Sequence, residues 1–306
     1  MDRTVLKAEG LVKDYRDVRA VAGISFAVER ATVFTLLGPN GAGKTTTLEI
    51  LEGIRSPDAG TITLFGRTLR RVDRAAKQRM GVLLQEGNFE PYLKVKEVVR
   101  LFASFFAHPR EVGEILAAVG LEEKGNALVR GLSGGQKQRL AVGVALINDP
   151  ELVLLDEPTT GLDPQARRNI WSIVGRLKSE GKTVILTTHY MEEAEALADS
   201  VCIMDHGSII AEGSPRELAE RFGEETVIEF QSEDAPADAI ERLRAFSDEA
   251  KLDGEMIRLE TSDLPRTMEG LFAWAREAGI PLGQLVVRQP NLEDVFLALT
   301  GRRLRE

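Results

Sequence analysis

Residues Gly38-Pro39-Asn40-Gly41-Ala42-Gly43-Lys44-Thr45 have the spacing of a loop that cradles phosphate: three glycines, then a lysine and a hydroxyl. Glycine lets the backbone turn successive N–H groups inward onto an anion, and a helix starting directly behind the loop adds the positive end of its dipole. Lys44 offers a point charge to the β- and γ-phosphates, Thr45 a hydroxyl to an octahedral Mg²⁺, and Thr46 a contact to the α-phosphate. Taken alone, the loop predicts binding of a nucleoside triphosphate and no more, because unrelated ATPases share it.

Two further groups of residues narrow the chemistry. The apolar run Leu152 to Leu155 ends in Asp156-Glu157-Pro158, which places two carboxylates at the C-terminal end of a buried strand, where α/β folds bind ligands. A carboxylate held near metal and phosphate can take the proton of an attacking water. Leu132-Ser133-Gly134-Gly135-Gln136 combines a good helix N-cap with two glycines that allow backbone to approach an anion closely. A second anion-binding helix start is surplus to the chain's own phosphate loop.

With the phosphate loop first, LSGGQ next and Asp156-Glu157 after it, and with Gln85 and His189 in their places, the chain resembles the nucleotide-binding subunit of ATP-binding-cassette (ABC) transporters. The resemblance implies an ATPase that uses ATP and Mg²⁺. Thr45 would bind the metal and Asp156 would hold it through water, Gln85 would contact both the metal and the attacking water when the site closes, Glu157 would act as general base, and His189 would hold the γ-phosphate and the water. Tyr15 would stack on adenine, although a lone tyrosine in a strand is core about as often. Ser133, Gly134, Gly135 and Gln136 would meet the ATP of a second cassette in trans, and Asp163 lies in the loop that crosses that interface. The implied partners are a second copy of the chain, paired through the ATP sites, and a separate integral-membrane permease. The implied location is the cytoplasmic face of the cell membrane. In this family the positions before the loop usually hold Gly, Glu and Gly; here they are Ala31, Thr32 and Thr35, so local repacking under an intact set of phosphate ligands is expected.

The elements that must position these residues follow from periodicity. Val33 to Leu37, Gly81 to Leu84, Leu152 to Leu155 and Thr183 to Thr187 are short apolar runs suited to strands buried on both faces of a parallel sheet. Tyr15 to Val28 alternates, as in an antiparallel edge sheet. Val95, Val98, Val99, Phe102 and Phe106 fall at helical spacing within a helical subdomain over about residues 88–146. Periodicity thus predicts an α/β core, and the resemblance implies that it is a P-loop ABC nucleotide-binding domain over residues 1–222.

From residue 223 the pattern changes to short strands and helices in a βαββαβ order, a small ferredoxin-like α+β domain over residues 223–306 with a regulatory or dimerising role. Residues 1–222 carry 30 acids against 29 bases and residues 223–306 carry 18 against 10, so most of the net charge of −9 belongs to the second part. A closing helix is predicted after Asn291, with Leu292, Val295, Phe296 and Leu299 on one face. That face reads as closing the small core, with a partner-binding helix as the alternative. The tail also resembles that of the daunorubicin-resistance type of drug-export ATPases, as does Thr187-Thr188-His189-Tyr190-Met191-Glu192-Glu193-Ala194.

Composition bounds the rest. An acidic chain without a basic stripe is a poor fit to nucleic acid, so no nucleic-acid partner is expected. Cys202, the single cysteine, sits in an apolar run and reads as an inert core thiol. The start Met1-Asp2-Arg3-Thr4 lacks the apolar stretch of a secretory signal, and the apolar runs fall short of the ~20 residues a membrane span needs. An exporter ATPase is the favoured function. An importer ATPase is the nearest alternative, and a non-transport ABC ATPase a more distant one.

Overall fold

Strand Val33–Leu37 is buried at every position, and its side chains alternate between two cores that sandwich the main sheet. The computed structural model describes residues 3–83, 89–222, 226–231, 236, 238–253, 256–280, 282 and 284–301. Among these residues the chain divides into two units, one running to Pro215 and the other beginning at Arg216.

The first unit opens with β1 (Thr4–Tyr15), β2 (Val18–Glu29), β3 (Val33–Leu37), α1 (Lys44–Leu51), β4 (Ala59–Leu64) and β5 (Arg67–Leu69). It continues through α2 (Arg74–Lys77), β6 (Met80–Leu83), α3 (Val95–Ala103), α4 (Val112–Ala118) and α5 (Gly134–Ala145). β7 (Leu152–Asp156), α6 (Pro164–Ser179), β8 (Thr183–Thr188), α7 (Met191–Leu197), β9 (Ser200–Asp205) and β10 (Ser208–Gly213) complete it. An antiparallel sheet runs β2-β1-β4-β5, and a second sheet runs β10-β9-β3-β8-β7-β6 with every pair parallel except β9 with β10. The two sheets are joined by a stack of Phe26 on Phe34, centroids 5.1 Å apart. Phe34, Leu36, Leu152 and Leu154 join the core under α1, while Val33, Val153 and Leu155 join the core shared with α3 to α6, as the period of two in a strand requires. Because β3, β8 and β7 are adjacent and parallel, the loops leaving their C-terminal ends open on one side of the sheet.

The second unit holds α8 (Pro215–Phe222, from its second residue), β11 (Thr226–Gln231), α9 (Ala239–Leu243), β12 (Glu249–Asp253), β13 (Met256–Thr261), α10 (Leu264–Ala278), β14 (Val286–Arg288) and α11 (Leu292–Thr300). The sheet order β12-β13-β11-β14, antiparallel throughout, is that of a ferredoxin-like fold. The division falls after Pro215 and not after Phe222, because Arg221 and Phe222 line one groove together with Val227, Ile240 and Arg258 of the small sheet and its helices. One sheet face carries Ile228, Phe230, Ile257 and Leu259 against α9 and α10. The reading of α11 as the closure of that core needs correction: Leu292, Val295 and Phe296 are buried, but outside it. The intervening strand positions Glu229 and Arg258 point to the other face, and α11 is tied there by Asp294, 2.8 Å from Arg258 and also paired with Arg288. Asn291 caps α11, its side chain accepting from Glu293 N and Asp294 N.

The departures before the phosphate loop have visible costs. Ala31 adopts φ 58°, a left-handed conformation in which a Cβ is strained and for which glycine is suited. Thr35 is fully buried in β3, and its hydroxyl has no hydrogen-bond partner among the described residues. Thr35→Val, which keeps the shape and removes the lone hydroxyl, should raise the unfolding free energy by about 1–2 kcal/mol in urea titration. A loss of stability would mean that the hydroxyl has a partner.

Candidate functional site

The phosphate loop spans the gap between β3 and α1. Gly41 and Gly43 take φ of 82° and 98°, and Gly43 caps α1 from the left-handed region. Gly38 is required for a second reason: a Cβ there would lie 2.2 Å from the Met204 carbonyl oxygen. Lys44 folds back over the loop, its Nζ donating to the carbonyls of Gly38 at 2.8 Å and Pro39 at 3.0 Å. The same Nζ lies 3.4 Å from Glu157 Oε1, with 3% and 7% of the two side chains exposed.

The carboxylates arrive from β7 and are fixed by β8. Asp156 Oδ1 accepts from Thr45 at 3.3 Å and from the Thr187 hydroxyl in a short bond. Glu157 has φ 44°, and its backbone N–H donates to Thr187 Oγ1 at 2.9 Å, so one threonine serves both acids. Glu157 Oε2 accepts from Thr160 at 3.0 Å and lies 3.3 Å from His189 Nδ1. Burial works on every charge here. It lowers the Lys44 pKa in spite of Glu157, and raises that of Asp156 in spite of hydrogen bonds from Thr187 and Thr45. Burial also pushes Glu157 up, but Lys44, His189 and Thr160 together hold it below the ordinary carboxylate value. Glu157 therefore stays ionised and Asp156 keeps its oxygens beside a hydroxyl, as a hard oxygen-preferring cation would need.

The signature residues form a helix start as the sequence predicts. Ser133 caps α5, accepting from Gln136 N at 3.3 Å, while Gln136 Oε1 accepts from Ser133 N at 3.0 Å. Gln136 thus has a capping role that the sequence reading did not assign. Gly135 lies against α6, where a Cβ would come 2.7 Å from the Ala166 methyl; at Gly134 a Cβ would meet nothing. Asp163 caps α6, accepting from Ala166 N at 2.9 Å. Tyr15 is half-buried, its ring flanked by Lys13 at 5.6 Å and Arg55 at 5.3 Å and its hydroxyl buried. Thr46 follows Thr45 in the first turn of α1. Gln85 lies outside the described residues. Cys202 is buried, with its thiol pKa raised by burial, while His108 and His206 are exposed. Thr160 was not singled out by sequence, and Thr187 was read only as part of the segment before His189; only the adjacency of β7 and β8 brings Thr187 to both acids.

The family described as ABC transporter matches residues 21–160, and a family described as ABC transporter domain-containing protein-like, C-terminal domain, matches residues 226–291. The chain is 42% identical over 307 residues to Nod factor export ATP-binding protein I of Ralstonia nicotianae, covering 99% of this chain and 95% of that protein. It belongs to the ATP-binding subunits of ABC transporters. Proteins of this family are ATPases coupled to transport. The ABC subunit is also similar to a solved ATP-binding cassette in its ADP conformation, at 26% identity and TM-score 0.64 over 70% of this chain and 92% of that one. A cassette solved as a dimer in a post-hydrolysis state bound to ADP and Pi is 25% identical with TM-score 0.62, covering 68% and 98%. In none of the described helices is there a stretch long and apolar enough to cross a membrane.

One acid close to the site stands apart from the phosphate ligands. Glu52, 4% exposed just beyond α1, is pushed up to about 8, first by burial and then by Asp156 and Glu49, with Lys77 opposing. The folded chain then keeps a proton that the unfolded chain releases above about pH 4.5. This group's contribution is fully present below that pH and is lost as pH rises toward 8. Glu52→Gln should flatten the fall in unfolding free energy over that window, measured without nucleotide; an unchanged slope would place the titration elsewhere.

Proposed function

We propose that this ABC subunit is the ATP-hydrolysing half of an exporter, working as a homodimer with ATP and Mg²⁺ held between two copies and driving a separate permease. The observation that carries hydrolysis is the placement of Glu157, ionised between Lys44 and His189 at the end of β7. Glu157 is the general base, and His189 orients the γ-phosphate and the water. Lys44, the loop amides from Gly38 to Thr45 and Thr46 bind phosphate, and Tyr15 is the surface for adenine. Thr45 and Asp156 present a hydroxyl and a carboxylate together, a donor set suited to Mg²⁺, with Gln85 as the third member of the proposed set. When bound, the metal neutralises phosphate charge.

Ser133, Gly134, Gly135 and Gln136 serve the ATP of the partner copy, with Asp163 at the interface. The helix start at Ser133 supports this, since its cap is complete and its open glycine leaves backbone free to approach an anion. Export is favoured over import by the near full-length match to a protein named for Nod factor export. The tail and the Thr188-His189-Tyr190 segment point the same way in resembling the daunorubicin-resistance type. A groove between α3 and β6, lined by Ile54, Val82, Phe102, Phe105 and Phe106 with Ile54 and Phe105 exposed, offers the permease an apolar seat at the cytoplasmic face. The small unit regulates or dimerises the cassette.

One mixing experiment tests both the base and the shared site. Glu157→Gln alone should slow turnover by about 10²- to 10⁴-fold with ATP still bound. Ser133→Arg alone should fail for want of a signature. Tagged mixed dimers of the two should regain part of the activity, because the intact loop and base of the Ser133→Arg chain face the intact signature of the other. Verified mixed dimers no faster than either parent would contradict the shared site.

A further inference from the structure

The first turns of α6 and α7 meet beside Glu157. The His189 ring, whose Nδ1 is 3.3 Å from Glu157 Oε2, lies with its centroid 4.1 Å from that of Tyr190, tilted by 42°. Against the Tyr190 ring sits the Arg167 guanidinium, 4.2 Å from the centroid. Arg167 belongs to the first turn of α6, four residues beyond the capping Asp163. Its Nε is buried without a hydrogen-bond partner among the described residues, and Glu192 lies 3.7 Å from its Nη1, so the ring face is a principal neighbour of this charge.

A second tie lies one turn along. Trp171 Nε1 donates to Glu193 Oε1 at 3.0 Å, and Glu193 is fully buried. Arg167 and Trp171 are spaced i, i+4 and so share a face of α6, while Tyr190 and Glu193 cap and open α7. The start of α7, and with it the imidazole, is therefore set by α6 at two points. No group in this pairing touches the phosphate loop in the contacts described.

We propose that Arg167 and Tyr190 are positioning residues for ATP hydrolysis: their stack holds the His189 imidazole against Glu157 and passes displacement of the α6 N-terminus to the hydrolytic carboxylate. The inference rests on the reading of Glu157 and His189 given above. Asp163 and Gly135 both meet Ala166, one residue before Arg167, so the residues proposed to face the partner copy adjoin the stack. A shift of the partner at this helix start would reorient the imidazole without altering the loop that binds ATP.

The test is steady-state hydrolysis and ATP affinity of the full-length chain. Tyr190→Leu keeps bulk and removes the ring; Arg167→Ala removes the charge. Each should lower kcat by about 10- to 100-fold, the cost of a small misplacement, with ATP affinity within about twofold. Tyr190→Phe should retain most of the turnover, and Arg167→Lys should recover part of what Arg167→Ala loses. In a His189→Ala background, Tyr190→Leu should cost nothing more, because it acts through the imidazole. The proposal is overturned by normal kcat in either Tyr190→Leu or Arg167→Ala, by a loss that lies wholly in ATP affinity, or by a full additional loss on His189→Ala. If Tyr190→Leu does not fold, the Arg167 pair decides. Glu157→Gln and His189→Ala at wild-type turnover would sink the reading of the site itself, whereas their slowing with an unaffected Tyr190→Leu would sink only the stack.

Discussion

An ammonium group with 3% of its side chain exposed must be surrounded by oxygen if it is to keep its charge, and Lys44 meets that requirement with two loop carbonyls and the carboxylate of Glu157. The loop path follows from this. Gly38 lets the chain pass the Met204 carbonyl, and Gly41 and Gly43 turn the backbone so that α1 begins with Lys44 itself. On the other side, Glu157 takes a left-handed backbone conformation at the end of β7, a strained arrangement that Thr187 stabilises through the Glu157 N–H. The pairing of cation and base fixes both in one place before any chemistry is required of them.

The rest of the first unit supplies what that pair needs. β3, β8 and β7 are adjacent and parallel, so the loop, the two acids and His189 leave the sheet on one side without a long connection. Strands buried on both faces hold those ends rigidly, since their side chains interlock with one core under α1 and another under the helices. A contact on α6 bears on Glu157 by packing: the Arg167 guanidinium lies on the Tyr190 ring and that ring lies against the His189 imidazole, in the two-residue connection between β8 and α7.

Much of this was legible in the sequence because glycine, apolar runs and caps act locally. The strand Val33–Leu37 and the helix Leu292–Thr300 fall where periodicity places them, and Asn291 caps as its type predicts. What periodicity could not give was the partner of each face. The stripe Leu292, Val295 and Phe296 is apolar whichever core it meets, and its side of the sheet is decided by Asp294 finding Arg258 and Arg288 on other strands. Ala31 and Thr35 were visible as departures, but their strain and lone hydroxyl depend on a backbone angle and on neighbouring strands. Tyr190 and Arg167 lie 23 residues apart and give no spacing signal at all.

The most direct test of the account is a double-mutant cycle on Lys44→Met and Glu157→Gln, with unfolding free energy measured in denaturant without nucleotide. A buried, mutually dependent pair should give a coupling of about 1–3 kcal/mol, each single variant stranding the other's polar group. Effects that add to within about 0.5 kcal/mol would contradict the claim that this pair organises the site.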